Sequence, residues 1–451
     1  MAKKKEENKK VSIFDDIIES EFSEMVDLSK EDDSVAYWVD TGNWALNYTI
    51  SKKFRGGYPG GRISNLWGRS GTGKSLLPAQ ASKAKDWENI DFDLFDRIVV
   101  IDSEGGGTGK SLFTFVGAPI EKVRYITIST LDSYKVNKST GKKEAIPDKD
   151  LPDGKLETPT YIYHRGLIAF MKKLIYALKY GGSTERLLII VDSISNIKSF
   201  RQAIEGVEDM GKTNKLLNNF FSLDNDFNSI GATVMLASKV YTNLNNPYDP
   251  WVMAGGESVL FNPSVNLKLT AMADSDELSA DQVKAEKERR KTALGNSMKV
   301  IRATVTKSRF GTENRNVWFM LDATYGMIRN SGLFKLLLDF GAIKKTGARY
   351  VLPGVFVDEK GEDKSFYKKD FLKIFSEHED EYIDKLQVVM DKIEDDIKYE
   401  RMHLNVSDME EYDEAQSKEI EEETDSMEYS ASDMLNAMEA EEEYAAEHSD
   451  I

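Results

Sequence analysis

The chain has 451 residues, of which 40% are hydrophobic, and this composition rules out a mainly disordered or fibrous protein and suggests two to three domains. It carries 60 basic and 77 acidic residues, but residues 408–451 hold 18 acidic residues and one lysine, which leaves 59 of each sign over positions 1–407. The absence of cysteine excludes disulfides and thiolate chemistry, and no apolar run approaches the ~20 residues of a membrane span. We therefore expect a soluble, cytoplasmic protein without a membrane partner.

Residues 1–39 are predicted to form a basic arm followed by a small helix. The apolar residues of this segment recur at helical spacing and share one stripe. They are Ile13, Ile17, Ile18, Phe22, Met25 and Val26. Such a stripe would pack either on the core of its own chain or on a neighbouring subunit.

Between residues 40 and 330, short apolar runs rich in β-branched residues alternate with amphipathic helical stretches, which is typical of βαβ units. The apolar runs span 63–67, 98–101, 187–191, 234–237, 265–269, 300–305 and 317–321. Their nearly continuous hydrophobicity predicts strands buried on both faces, in a central, mostly parallel sheet flanked by helices. A helix is predicted over 165–180, where apolar residues collect on one face. The fold class is therefore predicted to be α/β.

The pattern changes after residue 330. Residues 331–407 are predicted to form a smaller C-terminal domain rich in helices, over 332–340, 365–375 and 381–401. The charged segment 274–296 is predicted to be a solvated insertion between two strands. Residues 408–451 have the composition of a disordered acidic tail.

Residues 68–75 read GRSGTGKS, a full match to the phosphate-loop pattern, and they lie between an apolar run and a predicted helix. Glycines allow the backbone N–H groups of such a loop to turn toward phosphate oxygens. Lys74 would neutralise the β and γ phosphates, and Ser75 would hold Mg²⁺. The residues predicted to bind ATP are Gly68, Arg69, Ser70, Gly71, Thr72, Gly73, Lys74, Ser75 and Leu76.

Two acidic residues follow apolar runs at what should be the same edge of the sheet. Glu104 ends VVIDSE, where a carboxylate can orient and deprotonate an attacking water. Asp192 follows LLIIV in the Walker B pattern and would reach Mg²⁺. Residues 104–111, EGGGTGKS, leave a second phosphate loop open as an alternative, and Glu104 could also be an ordinary residue at the end of a strand.

Two segments combine lysines with aromatic or amide side chains. Residues 200–215 follow the Walker B strand, and residues 239–256 follow the next predicted strand. Lysines track phosphate oxygens, and Tyr241, Tyr248 and Trp251 offer stacking faces to unpaired bases. From the residues alone, a solvated loop or a subunit contact explains these segments equally well.

Taken together and in order, these motifs resemble the RecA-type strand-exchange recombinases, in particular the bacteriophage UvsX-like members. The resemblance covers about residues 40–341 and implies a RecA-like P-loop NTPase core. The matching stretches are DTGNWALNYTI, GGYPGGRISNLWGRSGTGKS, VVIDSE, LLIIVDSISNI, TVMLASKVYTN, the Ala-Gly-Gly turn at 254–256 and VTKSRFGTENRNVWFMLDATYGMIRNSGLFKLLLDFGAI.

The resemblance also implies roles for single residues. Glu104 would be the catalytic carboxylate and Asp192 the aspartate on the metal side. Lys307 and Arg309 match the cations that reach the ATP of the adjacent subunit, and Lys239 stands at the γ-phosphate sensor, where glutamine or histidine is usual. The residues that fall in the two DNA-binding loops are Arg201, Met210, Gly211, Lys212, Lys215, Tyr241, Asn243, Tyr248, Trp251, Gly255 and Gly256.

The implied function is that of an ATP-dependent DNA recombinase, which forms a helical homo-oligomer on single-stranded DNA and pairs that strand with homologous double-stranded DNA. Further implied partners are a mediator and a single-strand-binding protein, in the host cytoplasm if the chain is phage-encoded. Two alternatives remain: a hexameric RecA-fold helicase and an ATP-driven assembly switch without strand exchange. An open helical filament would distinguish the recombinase from a closed helicase ring.

Overall fold

The computed structural model describes residues 35–105, 109–152, 157–207, 217–242, 251–254, 256–272, 298–311, 313–322 and 326–402. The predicted N-terminal helix, the insertion at 274–296 and the acidic tail lie outside these residues. The chain divides into two compact units, one of Met1–Tyr350 with Phe366–Glu377 and the other of Val351–Ser365 with His378–Ile451.

Strands and helices alternate along the described chain. The strands are β1 (Trp38–Val39), β2 (Tyr58–Pro59), β3 (Ile63–Gly68), β4 (Arg97–Asp102), β5 (Val123–Thr127), β6 (Tyr134–Asn137), β7 (Lys143–Ala145), β8 (Tyr161–His164), β9 (Leu187–Asp192), β10 (Thr233–Ser238), β11 (Val240–Thr242), β12 (Trp251–Met253), β13 (Val265–Met272), β14 (Met298–Ser308), β15 (Asn316–Asp322), β16 (Gly326–Met327), β17 (Lys344–Thr346), β18 (Arg349–Val351) and β19 (Ser365–Phe366). The α-helices are α1 (Trp44–Ser51), α2 (Leu76–Ala81), α3 (Lys110–Val116), α4 (Leu167–Tyr180), α5 (Phe200–Glu205), α6 (Asp224–Ser229), α7 (Gly256–Phe261), α8 (Leu333–Asp339), α9 (Phe371–Glu377) and α10 (Glu379–Met402). Single turns of 3-10 helix lie at Ile120–Lys122, Asp148–Asp150, Ile194–Asn196 and Lys368–Asp370.

Within the described residues, nine strands form one mixed sheet in the order β16-β15-β14-β13-β3-β10-β9-β4-β5. The strands from β13 to β5 run parallel to their neighbours, whereas β14, β15 and β16 are antiparallel. All seven apolar runs predicted as strands lie in this sheet. The predicted α/β class is therefore confirmed, with three antiparallel strands added at one side.

The burial of the strands follows their position in the sheet. Every residue of β3, β9 and β10 is buried, as expected of parallel strands covered on both faces. The predicted burial on both faces is wrong for β14, where Arg302 and Thr304 are half-exposed between buried neighbours. This alternation is typical of an antiparallel strand with one solvated face. The predicted helix over 165–180 is confirmed as α4, and its buried Leu167 and Met171 belong to the main core.

The C-terminal helices partly match the prediction. Helix α8 falls within the predicted 332–340, and α10 contains the predicted 381–401. The predicted helix over 365–375 is wrong in its first half, because buried Phe366 lies in β19 and Tyr367 keeps an extended backbone, with φ −91° and ψ 149°. The α-helix begins only at Phe371, after one 3-10 turn.

The second unit contains α10, in which Ile383, Leu386 and Met390 are buried at helical spacing. The ring of Phe356 packs against Tyr382 at a centroid distance of 4.8 Å. Among the described helices, none combines the length and the apolar composition that a bilayer crossing requires.

The burial of the central strands predicts that two isoleucine-to-alanine substitutions differ strongly in their effect on the free energy of unfolding. Ile190 in β9 is fully buried, whereas Ile90 is 55% exposed. Ile190→Ala should lower the free energy of unfolding by ~2–5 kcal/mol, because it leaves a cavity in a packed core. Ile90→Ala should change it by less than ~0.5 kcal/mol. Urea unfolding followed by circular dichroism measures both, and equal shifts would contradict the placement of β9.

Candidate active site

The phosphate loop joins the end of β3 to the start of α2, as predicted. Its glycines are required by the backbone. A Cβ on Gly68 would lie 2.2 Å from the carbonyl oxygen of Leu269 in neighbouring β13, and a Cβ on Gly73 (φ +97°) would lie 2.7 Å from Leu321 Cδ1. The loop curls onto itself, because Thr72 Oγ1 and Lys74 Nζ both donate to the Arg69 carbonyl, at 2.8 and 2.7 Å.

This loop forms one wall of a cavity of about 770 Å³, a volume within the range of small-molecule sites. The cavity opens where the carboxyl ends of β3, β4, β9 and β10 meet. Its lining residues are Gly68, Arg69, Ser70, Gly71, Gly73, Lys74, Ser75, Leu76, Glu104, Leu112, Phe115, Asp192, Lys239, Val240, Trp251, Lys299, Leu321 and Asp322. The predicted nucleotide loop, both predicted acidic residues and the predicted sensor lysine therefore share one cavity.

A buried carboxylate fixes the turn that presents Glu104. Asp102 is the last residue of β4, and its Oδ1 accepts hydrogen bonds from the backbone N–H groups of Glu104 (2.7 Å) and Gly105 (3.0 Å). The Tyr125 hydroxyl donates to the other oxygen of Asp102. Because both Asp102 oxygens accept hydrogen bonds, they fix the backbone of Glu104 and Gly105, the residues that lead from β4 into the cavity.

Asp192 has the surroundings of a carboxylate that is completed by a cation. Burial raises its pKa, and a hydrogen bond with the Ser75 side chain opposes that rise. Its Oδ2 atom is buried without a hydrogen-bond partner, which is costly for a carboxylate oxygen. Asp192 and Ser75 together fit Mg²⁺, a hard cation that commonly takes one or two protein oxygens and completes its shell with phosphate oxygens and water.

Among the described residues, no three His, Cys, Asp or Glu side chains cluster as a candidate metal site made by protein alone.

Lysine and carboxylate side chains lie close together in the cavity. Burial lowers the pKa of Lys74, and the nearby carboxylates of Asp192 and Glu104 partly restore it. Lys239 Nζ lies 3.1 Å from Glu104 Oε1, and the Ser193 hydroxyl donates to the same oxygen at 3.0 Å. Glu104 therefore already has a cationic partner and a hydrogen-bond donor.

A hairpin of β11 and β12 connects the cavity to the second predicted DNA segment. Lys239 comes directly before β11, and Trp251 begins β12, so both strands of this hairpin reach the cavity. The Arg69 guanidinium lies 4.5 Å from the centroid of the Trp251 ring. Trp251, predicted to stack on DNA bases, thus has one ring face against the phosphate loop. Tyr241 is exposed.

Several predicted DNA residues lie outside the described part of the chain: Met210, Gly211, Lys212, Lys215, Asn243, Tyr248 and Gly255. Arg201 is on α5, where it forms an exposed ion pair with Glu205 at 2.8 Å. Gly256 is the first residue of α7.

Lys307 and Arg309 are not brought to the cavity of their own chain. Leu269 of β13 pairs with Gly68 of the phosphate loop on one side and with Ala303 of β14 on the other. Lys307 lies four residues beyond Ala303 along β14, which is about 13 Å from Ala303 at ~3.3 Å per residue. Lys307 donates to the Phe261 carbonyl, and Arg309 Nη1 lies 3.9 Å from Asp224 Oδ2.

Six residues that line the cavity were not predicted from the sequence: Leu112, Phe115, Val240, Lys299, Leu321 and Asp322. Leu112 and Phe115 provide an apolar wall from α3, and Phe115 is partly exposed while Phe113 is buried in the core. A short helix of mixed apolar residues gives no signal for which of its aromatic rings faces a ligand. Lys299 Nζ donates to the Gly71 carbonyl at 3.3 Å, and only the pairing of β14 with β15 brings it there.

Neither the protein-family models nor the curated proteins compared with this chain gave a match. The functional assignment therefore depends on the residues of the cavity and on the order of the motifs.

The Asp192–Ser75 pair predicts a specific metal dependence. Asp192→Asn should raise the Mg²⁺ concentration needed for half-maximal binding of a fluorescent ATP analogue by roughly tenfold, because loss of one ligand charge weakens binding of a hard cation. Asp339→Asn, in an exposed ion pair with Lys335, is the matched control and should leave that concentration unchanged. The same Mg²⁺ requirement in both variants would exclude Asp192 from the metal site.

Proposed function

We propose that this chain is an ATP-dependent DNA recombinase of the RecA type, which assembles on single-stranded DNA and exchanges it into a homologous duplex. One observation supports the proposal most directly. The hairpin within the second predicted DNA segment lines the same cavity as the phosphate loop, through Lys239, Val240 and Trp251. Binding of ATP would therefore act on the segment that is predicted to hold DNA.

The cavity has the residues that ATP hydrolysis needs. Backbone N–H groups of residues 68–75 and the Lys74 ammonium would hold the phosphates, while Ser75 and Asp192 would hold Mg²⁺. Mg²⁺, when bound, would neutralise charge on the phosphate oxygens. The apolar wall of Leu112 and Phe115 would accept the base. Glu104 is the carboxylate placed to orient the attacking water and to take its proton.

The ion pair of Glu104 with Lys239 couples hydrolysis to the hairpin. The Lys239 ammonium occupies Glu104 Oε1, an oxygen that could otherwise accept a hydrogen bond from the attacking water. A γ-phosphate carries more charge than a carboxylate and would attract Lys239, which would free Glu104. Because Lys239 directly precedes β11, the same displacement would be transmitted to the residues that follow. This is a population shift driven by the nucleotide.

Lys307 and Arg309 support a site that is completed by a second subunit. They lie well away from the cavity of their own chain, so they would contribute charge to ATP only across a subunit contact. Such a contact between two different faces of the same chain is heterologous, and it builds an open helix when the rotation does not close a ring.

Glu104→Gln should separate binding from hydrolysis. The amide keeps the shape of the side chain but cannot accept the proton, so ATP turnover should fall by roughly 10²–10⁴-fold. Affinity for a fluorescent ATP analogue should change little. Glu185→Gln, at an exposed ion pair with Arg97, is the control and should keep full turnover. Normal turnover by Glu104→Gln would remove this residue from the role of base.

Lys239→Gln should weaken the control that DNA has over hydrolysis. Without the ammonium, Glu104 is no longer paired, so ATP turnover in the absence of DNA should rise, by at most about fivefold, since an exposed ion pair is worth ~0.2–1 kcal/mol. The stimulation by single-stranded DNA should shrink accordingly. Lys335→Gln removes a lysine from another exposed ion pair and should change neither rate. A lower DNA-independent rate in Lys239→Gln would contradict the inhibitory pairing.

The proposed function is tested by steady-state ATP hydrolysis with and without single-stranded DNA, with the same samples imaged by negative-stain microscopy. Strong stimulation together with open helical filaments is the expected result, and Lys74→Ala should abolish the hydrolysis. Closed rings would favour the helicase, and hydrolysis indifferent to DNA would favour the assembly switch.

A further inference from the structure

A small three-stranded sheet stands apart from the cavity. Strands β7, β6 and β8 pair antiparallel in the order β7-β6-β8, and none of their residues lines the cavity of the phosphate loop. Tyr134 pairs with His164 and Lys135 with Tyr163 across β6 and β8. These short strands carry lysines and tyrosines and no fully buried residue, so burial of apolar side chains does not account for them.

The two faces of this sheet differ. One face carries Tyr134, which stacks on His164 at 4.5 Å between ring centroids and lies 6.1 Å from the ring of Phe200 in α5. This face is turned toward the body of its own unit. Because side chains alternate along a strand, the opposite face carries Tyr161 and Tyr163. Their ring centroids are 6.3 Å apart, and both rings remain partly exposed.

Lysines accompany the two tyrosines on this face. Lys135 Nζ lies 4.7 Å from the centroid of the Tyr161 ring and forms an ion pair with Glu144 Oε2 on the same face, at 3.2 Å. The backbone N–H of Asn137 donates to the Lys142 carbonyl, which continues the ladder and puts Lys142 on the same face as Tyr161. Lys142 is exposed and forms no ion pair with any described residue. Residues 134–145 contain four lysines and one glutamate, in a chain whose first 407 residues are balanced in charge.

Paired aromatic rings with flanking lysines are the features that bind unpaired nucleic acid. Each base has a planar face that can stack on a tyrosine, and each phosphate can be met by a lysine, without any need for a particular sequence. An acidic peptide would use the lysines but gain much less from two adjacent rings. The face therefore fits a single-stranded nucleic acid better than an acidic protein segment.

The residues that lead into β6 contact the start of the first predicted DNA segment. Thr130 forms a parallel bridge with Lys198, and the backbone N–H of Phe200 donates to Asp132 Oδ2 at 2.9 Å. Phe200 begins α5, from which residues 200–215 continue. The residues that lead into β6 thus contact the beginning of that segment.

We propose that the face of Tyr161, Tyr163, Lys135 and Lys142 is a second binding surface for single-stranded DNA, separate from the two predicted DNA segments. In the terms of the proposed function, this surface would guide a DNA strand to the segment 200–215. The proposal extends the proposed function but can fail while that function holds.

Photochemical crosslinking tests the location directly. Full-length protein is irradiated with an oligothymidylate in which some thymines are replaced by 5-iodouracil, and the crosslinked peptides are identified by mass spectrometry. Crosslinks at Tyr161 or Tyr163 are expected. Crosslinks confined to residues 200–215 and 239–256 would overturn the second surface and leave the proposed function standing, whereas no binding of the oligonucleotide would overturn both.

Affinity measured by fluorescence anisotropy at fixed salt gives an independent test. Tyr161→Ala/Tyr163→Ala should weaken oligothymidylate binding about tenfold or more, because stacking on one aromatic ring is commonly worth about that factor per base. Tyr161→Phe/Tyr163→Phe keeps both stacking faces and should bind normally. The matched control is Tyr176→Ala/Tyr180→Ala, which removes another exposed pair of tyrosines, 4.6 Å apart on α4. Equal losses in the two alanine pairs would overturn the proposal.

The salt dependence of DNA affinity in Lys142→Gln distinguishes the loss of one phosphate contact from the loss of folded protein. Lys142→Gln should reduce the slope of log affinity against log salt by about 0.7, the value for one phosphate contact on a single strand. An unchanged slope would exclude Lys142 from contact with DNA. Circular dichroism melting of each variant identifies any loss of folded protein.

Discussion

The alignment of the parallel strands is the constraint on which the rest of the molecule depends. Because β3, β10, β9 and β4 are parallel and in register, the residues that end them meet at one edge of the sheet. Asp102 pairs directly with Asp192, and Ser238 pairs with Trp67, next to the phosphate loop. Segments that are more than 100 residues apart in the chain therefore converge on one cavity. Binding at this edge is a general property of open α/β sheets.

The same alignment places Asp192 and Glu104 in one cavity with Lys74 and Lys239, and the contacts among these side chains set the chemistry of the site. Asp192 keeps one buried oxygen without a partner, and its pKa is raised chiefly by burial. Glu104 in contrast is held by Lys239 and Ser193. A cation beside Asp192 would supply a partner for its buried oxygen, and a phosphate would compete with Glu104 for Lys239. In the proposed function, nucleotide binding and the position of the hairpin after Lys239 would be parts of one equilibrium.

Much of the fold could be predicted because the strongest signals are local. The apolar runs of β3, β9 and β10 are continuous because these strands are buried on both faces. The phosphate loop was recognisable because close backbone contacts restrict its positions to glycine. The predicted helix over 365–375 was wrong in its first half, since nothing in the local sequence distinguishes a short strand at buried Phe366 from the start of a helix.

Residues that reach the site through pairing of distant strands could not be predicted. Lys299 meets the phosphate loop only because β14 runs antiparallel to β13 and β15. The orientation of Trp251 toward Arg69 depends on which face of the β11–β12 hairpin is turned to the cavity, and aromatic content alone does not give this. The small sheet of β6, β7 and β8 was missed because its strands have only three or four residues, too few for a periodic pattern to stand out.

The proposed function requires that the phosphate loop and the second predicted DNA segment are coupled through one cavity. The most direct test is the affinity of the unmodified chain for single-stranded DNA, measured by anisotropy at fixed salt with and without a non-hydrolysable ATP analogue and Mg²⁺. Coupling of the two sites predicts binding that is roughly 5–150-fold tighter with the analogue, and by linkage an equal increase in analogue affinity with DNA present. Equal DNA affinities in the two conditions would contradict the account.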